Sequence, residues 1–404
     1  MGPYLDYAAT TPVDPRVSAL MARLEGPAGA FANPSSSHPH GRRASGLVDA
    51  AADQVRETLG DTGFEVIWTS GATEADNLAI LGLAEALSRR DHSRRRILVA
   101  ATEHSAVLAA ASAAQAYGMQ VETLPVTADG RLQVETLNAR LDERVALVSL
   151  APVNNETGVI QDVPALAEAV HAAGASVHLD AAQALGRLPD AGCYAHADLI
   201  SLSAHKCCGP KGVGALCHRP GIRLAPQLHG GGQQQGLRSG TLPVALIAGM
   251  GEALRWLDDA GERARQRTLR ARMMDALRQL GDVVINGRAD GAPHILNVSF
   301  PGVHGEALRD RLSGLSVGFG SACSRRDGPS HVLRAMGRPD PLAYASVRLS
   351  QGRFTTADDI DQAMTIVTDA VRTLRRVSPL WRDIAEGRQT IQSAYGLTTT
   401  PEMA

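Results

Sequence analysis

From residue 65 onward, short apolar runs rich in β-branched residues alternate with stretches whose apolar positions recur at helical spacing. EVIWTS (65–70) predicts a strand and Thr73 to Leu87 a helix. RRILVAA (95–101) then predicts a strand and the Ala-rich run Ser105 to Tyr117 a helix. MQVETLPV (119–126) and VALVSLAPV (145–153) predict strands, followed by helices over 134–141 and 163–174. SVHLDA, DLISLSA and GVGALCHR complete the strand series. Strands that alternate with helices imply a mostly parallel sheet with right-handed crossovers. The fold class expected is therefore α/β, and ligands should bind beyond the carboxyl ends of the strands.

The pattern changes after residue 245. A long charged helix, Ala245 to Leu280 with a break near Gly261, leads to strands at ILNVSF (295–300), GLSVGFGS (314–321) and ASVRLS (345–350). TTADDIDQAMTIVTDAVRTLRRV (355–377) has a capped start and helical spacing. This organisation predicts a large domain over 15–255 and a smaller α+β domain built from 1–14 and 256–404. Thr398 to Ala404 is expected to be disordered.

Composition narrows the function classes. The 404 residues carry 40 Lys plus Arg against 42 Asp plus Glu, a net charge of −2, which favours neither nucleic acid nor an anionic membrane as partner. No apolar run approaches the length of a membrane span, and Met1 to Asp6 lacks the basic start and apolar core of a secretory signal. Cytoplasmic localisation is the expectation. The five cysteines, Cys193, Cys207, Cys208, Cys217 and Cys323, are odd in number and match no zinc spacing, which suits free thiols in a reducing compartment. No resident metal is expected.

Of the 40 basic residues only Lys206 and Lys211 are lysines, and both lie in SAHKCCGPKG. Arg can replace Lys on a surface but cannot form a Schiff base. Asp180 ends the strand SVHLD, and Ser203, His205 and Lys206 close the next one, LISLSAHK. A carboxylate beneath a pyridine ring would keep its nitrogen protonated and make the ring an electron sink. A buried amine on the neighbouring strand would be nucleophilic. Gly71-Ala72-Thr73-Glu74, between strand and helix, offers backbone N–H groups and a helix dipole to a phosphate. His104, also after a strand, could stack on a flat ring and move protons.

GATEADN, TEHSAV, VNNETGV, HLDAAQ, SLSAHKCCGPKGVGAL, HGGGQQQGLRSGTLP and GFGSACSRRDGPSHVLRAMG together resemble the cysteine desulfurases. The likeness runs from YLDYAATTP to SPLW at 378–381. It implies fold type I of the enzymes that use pyridoxal 5′-phosphate, with a seven-stranded sheet in the large domain. It further implies that Lys206 carries the cofactor as a Schiff base, and that Ala72, Thr73, Ser203 and His205 bind its phosphate, with Thr241 reaching in from a second subunit of a homodimer. His104 would stack and act as acid–base, Asp180 would pair with the pyridinium, and Gln183 would bond the phenolic oxygen. Asn155 would touch cofactor and substrate, Arg348 would pair with the substrate carboxylate, and Asn33 would line the same pocket. Cys323, in a mobile loop over about 318–331, would take sulfur from L-cysteine, leaving L-alanine and a persulfide. It could also transiently ligate an iron–sulfur cluster.

The implied acceptor is a sulfur-carrying protein such as an iron–sulfur scaffold, with tRNA thiolation or DNA phosphorothioation as other destinations. Arg325 and Arg326 could lower the Cys323 pKa, and this Arg-rich loop suits an acidic partner surface. Cys207 and Cys208 stand where the family has bulkier residues and are expected to pack. An aminotransferase or selenocysteine lyase would not need Cys323, and a non-catalytic scaffold would need neither Cys323 nor Lys206.

Overall fold

The computed structural model describes residues 2–60, 63–90, 93–188, 191–257, 260–320, 328–397 and 402–403. Its main sheet has seven strands: β1 (Glu65–Thr69), β2 (Arg96–Ala100), β3 (Gln120–Leu124), β4 (Val145–Leu150), β5 (Ser176–Asp180), β6 (Leu199–Ser203) and β7 (Gly214–His218). The spatial order is β1-β7-β6-β5-β4-β2-β3. Only β7 runs antiparallel to its neighbours, β1 and β6, and the other pairings are parallel. The strand β4 is buried at all six positions, as a strand covered on both faces must be.

Period-2 alternation sorts the strand side chains onto two faces. Leu98, Val148, Val177, Leu179, Ile200 and Leu202 join a core with the helices α1 (Pro39–Thr58), α4 (Val163–Ala172) and α5 (Val244–Leu254), once α2 (Ala72–Ser88) and α3 (Ser105–Ala113) are assigned to the opposite face. Ile97, Val99, Leu147 and Leu199 pack with α2 and α3. On that second face the next positions along are polar: Ser149, His178, Asp180, Ser201 and Ser203. Apolar packing therefore holds one half of this face, and polar chemistry occupies the half nearest the strand ends.

A second sheet joins Ser346–Ser350, Ile295–Ser299, Val284–Ile285 and Glu402–Met403. Its core includes Leu269, Met273 and Leu277 of α6 (Ala260–Leu280) and Ile360, Met364, Val367 and Val371 of α7 (Ala357–Arg376). The capping box expected at the start of α7 is formed by Thr356 and Asp359. Leu5 lies in the same core, because Tyr4–Leu5 pair in parallel with Ser316–Val317.

Several expectations are corrected. The break expected near Gly261 in the helix over 245–280 falls slightly earlier, between Leu254 and Ala260, which separates α5 from α6. Of the strand expected over 314–321, Ser316–Val317 form a short strand and Gly318 adds an isolated antiparallel bridge to Arg348. The helix expected over 134–141 ends at Asn138. Glu402–Met403 pair antiparallel with Val284–Ile285, where composition predicted no order.

Candidate active site

Lys206 follows β6 through a single 3₁₀ turn, Ala204–Lys206, which turns its side chain over the strand ends. Its Nζ donates to the carbonyls of Ala8 (2.6 Å) and Ala9 (2.8 Å). Gln183 Nε2 donates to the Ala8 carbonyl as well, at 2.7 Å. These groups line a cavity of about 470 Å³ together with His104, Asn155, Asp180, Ser203, His205 and Arg348. Ala72 and Thr73 form one wall at the start of α2.

That wall is an anion cradle by construction. Gly71 precedes α2 with φ 153° and supplies no capping side chain, so the first N–H groups of the helix remain available. A Cβ on Gly71 would stand 3.6 Å from Ser203 Oγ. Ser203 Oγ is buried without a hydrogen-bond partner, and so is Gln183 Oε1. Buried polar atoms without partners mark places where another group belongs. His205 is held by Thr10 Oγ1, 3.1 Å from its Nδ1. Burial, then Lys206 and Lys211, push its pKa down to about 4, leaving a neutral ring beside the cradle. The donor set fits a phosphate, the amine of Lys206 fits an aldehyde, and Asp180 fits a ring cation.

Burial raises the Asp180 pKa, while His104 and Lys206 oppose that rise. A ring nitrogen cation would add to the opposing side and keep the carboxylate ionised. His104 caps α3: the Ala106 N–H donates to its Nδ1 at 3.2 Å. The neutral ring therefore carries its proton on Nε2. Burial lowers the pKa of His104, with Asp180 opposing and Lys206 adding to the fall.

Below the site lies a buried polar row that the sequence reading passed over. Ser149 Oγ, His178 and Ser201 Oγ are linked at 2.7 and 2.9 Å, and Asp76 Oδ1 lies 3.7 Å from His178 Nε2. Burial holds His178 at about 3 and raises the carboxyls of Asp76 and Glu103, with Asp180 reinforcing both rises. The signal was present as polar residues in strand positions that otherwise alternate with Val and Leu.

Arg348 is the cavity's guanidinium. Nη1 donates to the Asn155 carbonyl at 2.9 Å and Nη2 pairs with Asp6 at 2.8 Å, while Nε has no partner. Asn33 is not brought to the cavity: it is exposed, and its Oδ1 accepts from Ser35 N at 2.9 Å in a local turn. Thr241 is exposed and lies outside the cavity lining of its own chain. Cys323, Arg325 and Arg326 lie outside the described residues. Ala8, Ala9 and Thr10 were missed because their contribution is main-chain carbonyls and a contact with residues almost 200 positions away. Lys211, the other lysine of SAHKCCGPKG, also lines the cavity. Among the described residues no group of three or more His, Cys, Asp or Glu could hold a metal ion. No helix there is long and apolar enough to cross a membrane.

The profile of the aminotransferase class-V family matches residues 3–363. Cysteine desulfurase IscS of Serratia proteamaculans (strain 568) is 45% identical over 391 residues, 95% of this chain and 96% of that one. Among solved structures, a NifS-like protein superposes with a TM-score of 0.84 at 32% identity, covering 92% of this chain and all (100%) of its own. SspA in complex with cysteine superposes with a TM-score of 0.77 at 30% identity, covering 88% of this chain and 100% of that chain.

Proposed function

The chain belongs to the aminotransferase class-V family and is a pyridoxal 5′-phosphate-dependent cysteine desulfurase, and from that premise we propose which of its residues carry the reaction. The observation that carries the reading is the convergence of Lys206, Asp180, His104, Gln183, Ser203, His205 and Arg348 on one cavity. When bound, the cofactor supplies an electron sink that withdraws charge from the substrate's carbon. The residues around it do the rest. Lys206 holds the aldehyde end, and the α2 N-terminus with Thr73, Ser203 and His205 holds the phosphate. Asp180 keeps a proton on the ring nitrogen, and Gln183 reaches the phenolic oxygen.

Arg348 binds the carboxylate of L-cysteine, with Asn155 beside it. His104 holds a proton on Nε2 and can deliver it to substrate carbon. Cys323 attacks the substrate sulfur as a thiolate. The carbon–sulfur bond breaks, a sulfur–sulfur bond forms, and the carbon keeps the electron pair and takes a proton. The products are L-alanine and the Cys323 persulfide, so no external oxidant or reductant is needed.

Thr241, exposed and outside its own chain's cavity, is placed as a residue given to a second subunit would be, which supports a homodimer. The Arg-rich loop around Cys323 supports an acidic sulfur-acceptor protein, of which an iron–sulfur scaffold is the reading favoured. Among the described residues Cys207, Cys208 and Cys217 are free thiols, in keeping with a reducing cytoplasm. The two sheets with their separate cores support a division into 15–255 and 1–14 with 256–404.

The test is Cys323→Ser. Alanine formation from L-cysteine should fall at least about a hundredfold, while cofactor absorbance stays. Alanine formation at the wild-type rate would remove Cys323 from the mechanism. Light scattering on the purified protein reads the subunit count.

A further inference from the structure

Glu74 stands in the first turn of α2 and lines the same cavity as Thr73 and Ser203. Its Oε2 accepts from the Ser70 N–H at 2.7 Å, which ties the first turn of the helix back across Gly71 and fixes the shape of the cradle. A carboxylate in a first turn also suits the positive end of the helix dipole. The same placement is a liability once a phosphate binds. Two anions at one helix N-terminus repel, and the repulsion grows where water is excluded.

Arg238 meets that charge. Its Nε donates to Glu74 Oε1 at 2.7 Å and its Nη2 donates to Oε2 at 3.3 Å, the two-point fork of a guanidinium on a carboxylate. The two side chains are 18% and 23% exposed, so solvent screens the pair less than it screens a surface pair. Burial alone would raise the Glu74 pKa, but the bonds from Arg238 and Ser70 outweigh it and hold the carboxyl below its usual range.

The loop that brings Arg238 here, from 164 positions along the chain, is itself fastened to the large sheet. The strand β1 is an edge strand, and the Gln234 amide covers its Trp68. Gln234 Oε1 accepts from the Trp68 N–H at 2.6 Å, and Nε2 donates to the Trp68 carbonyl at 2.9 Å. Gln234 and Gln235 have φ of 51° and 59°, a left-handed bend that side chains other than glycine adopt at a cost. Beyond Arg238, the Gly240 N–H donates to Gln233 Oε1 at 2.9 Å and closes the loop.

We propose that Arg238 is a positioning residue of the phosphate cradle: it neutralises Glu74, so that this carboxylate shapes the turn without repelling the phosphate of the cofactor. The proposal rests on the reading that the cradle holds that phosphate. Arg238 acts through Glu74.

The experiment titrates the full chain, freed of cofactor, with pyridoxal 5′-phosphate and in parallel with pyridoxal, which has the same ring and aldehyde but no phosphate. Absorbance reads both affinities. Arg238→Gln should weaken binding of the phosphate ester at least about tenfold and leave pyridoxal within about twofold. Glu74→Gln added to Arg238→Gln should restore most of the loss, because the repelling charge is gone. Arg238→Lys keeps the positive charge and should lose less than Arg238→Gln. Equal weakening of both ligands in Arg238→Gln, or no recovery in the double variant, gives Arg238 a merely structural role and overturns the proposal. If Arg238→Gln does not fold, Glu74→Gln alone decides: equal or tighter binding of the ester supports the proposal, and weaker binding overturns it. Ser203→Ala is the reference for the cradle. If it weakens the ester and spares pyridoxal while Arg238→Gln changes neither, only the role of Arg238 falls. If it fails to separate the two ligands, the phosphate reading falls and the proposal with it.

Discussion

Arg348 Nη2 lies 2.8 Å from Asp6 Oδ1, so a residue near the start of the chain orients a guanidinium near its end. The second anchor, the Asn155 carbonyl, comes from the large sheet's side of the cavity. A substrate carboxylate thus meets an arginine already held in place. Arg348→Lys should raise KM for L-cysteine about tenfold or more, since Lys lacks the bidentate fork. Asp6→Asn should raise it by a smaller factor, about two- to fivefold, by loosening the anchor. Initial rates of alanine formation read both, and an unchanged KM in Arg348→Lys would take the carboxylate away from this residue.

Ser203 Oγ has no partner although it is buried, so its hydroxyl is available to a phosphate. Ser203→Ala should weaken cofactor retention about tenfold, the worth of one hydrogen bond to a charged group. Cofactor absorbance after dialysis against dilution series measures it. Retention equal to that of the wild type would leave the phosphate to the α2 N-terminus alone.

Gly214 sits where β7 passes beneath the cradle. A Cβ there would lie 2.3 Å from the Leu202 carbonyl oxygen and 2.6 Å from Gly71 Cα, both backbone atoms that cannot swing aside. Gly214→Ala should cost about 1–3 kcal/mol in urea unfolding and also loosen the cofactor, because the strain falls on Gly71.

His178 is held neutral, at about 3, by complete burial. The unfolded chain takes up its proton near pH 6.5, so the folded state loses stability as pH falls from that value toward 3. Asp76 and Glu103, with raised values, act in the opposite direction. The comparison of wild type with His178→Gln isolates the histidine: the wild type should lose stability relative to the variant between pH 6.5 and 4.5 in urea unfolding. A difference that stays constant over that window would show that His178 is not kept neutral.

The buried thiols of Cys207, next to Lys206, and Cys217, on β7, should be inert. Burial pushes Cys207 up to about 11 and Cys217 up to about 12. Iodoacetamide at pH 8 should leave both unlabelled in the folded protein, as peptide mass spectrometry would read. Cys207→Ser combined with Cys208→Ser should keep full desulfurase activity. Rapid labelling of Cys207, or lost activity in the double variant, would give the pair a chemical role.

Much of the site was legible because strand-end chemistry is local. Asp180, Ser203, His205 and Lys206 are placed by the period of β5 and β6 and by the single turn that follows, so their juxtaposition needs only that the two strands be neighbours. The parallel pairing of β5 with β6 supplies that. Cys323 was legible as a residue type in a family pattern, and no geometry adds to it. Asn33 shows the limit: a polar residue in a matching motif was expected at the cavity, but its side chain closes its own turn.

What the sequence determined by itself was the alternation of elements, the α/β class and the chemical types at the strand ends, because these follow from periodicities of two to four residues. Only the tertiary structure decided that the Ala8 and Ala9 carbonyls receive Lys206, that Asp6 orients Arg348, and that Arg238 pairs with Glu74 at the cradle. Those contacts join segments far apart in the chain, and their geometry depends on how the two sheets and their helices pack. No local pattern of charge or hydropathy encodes such a distance.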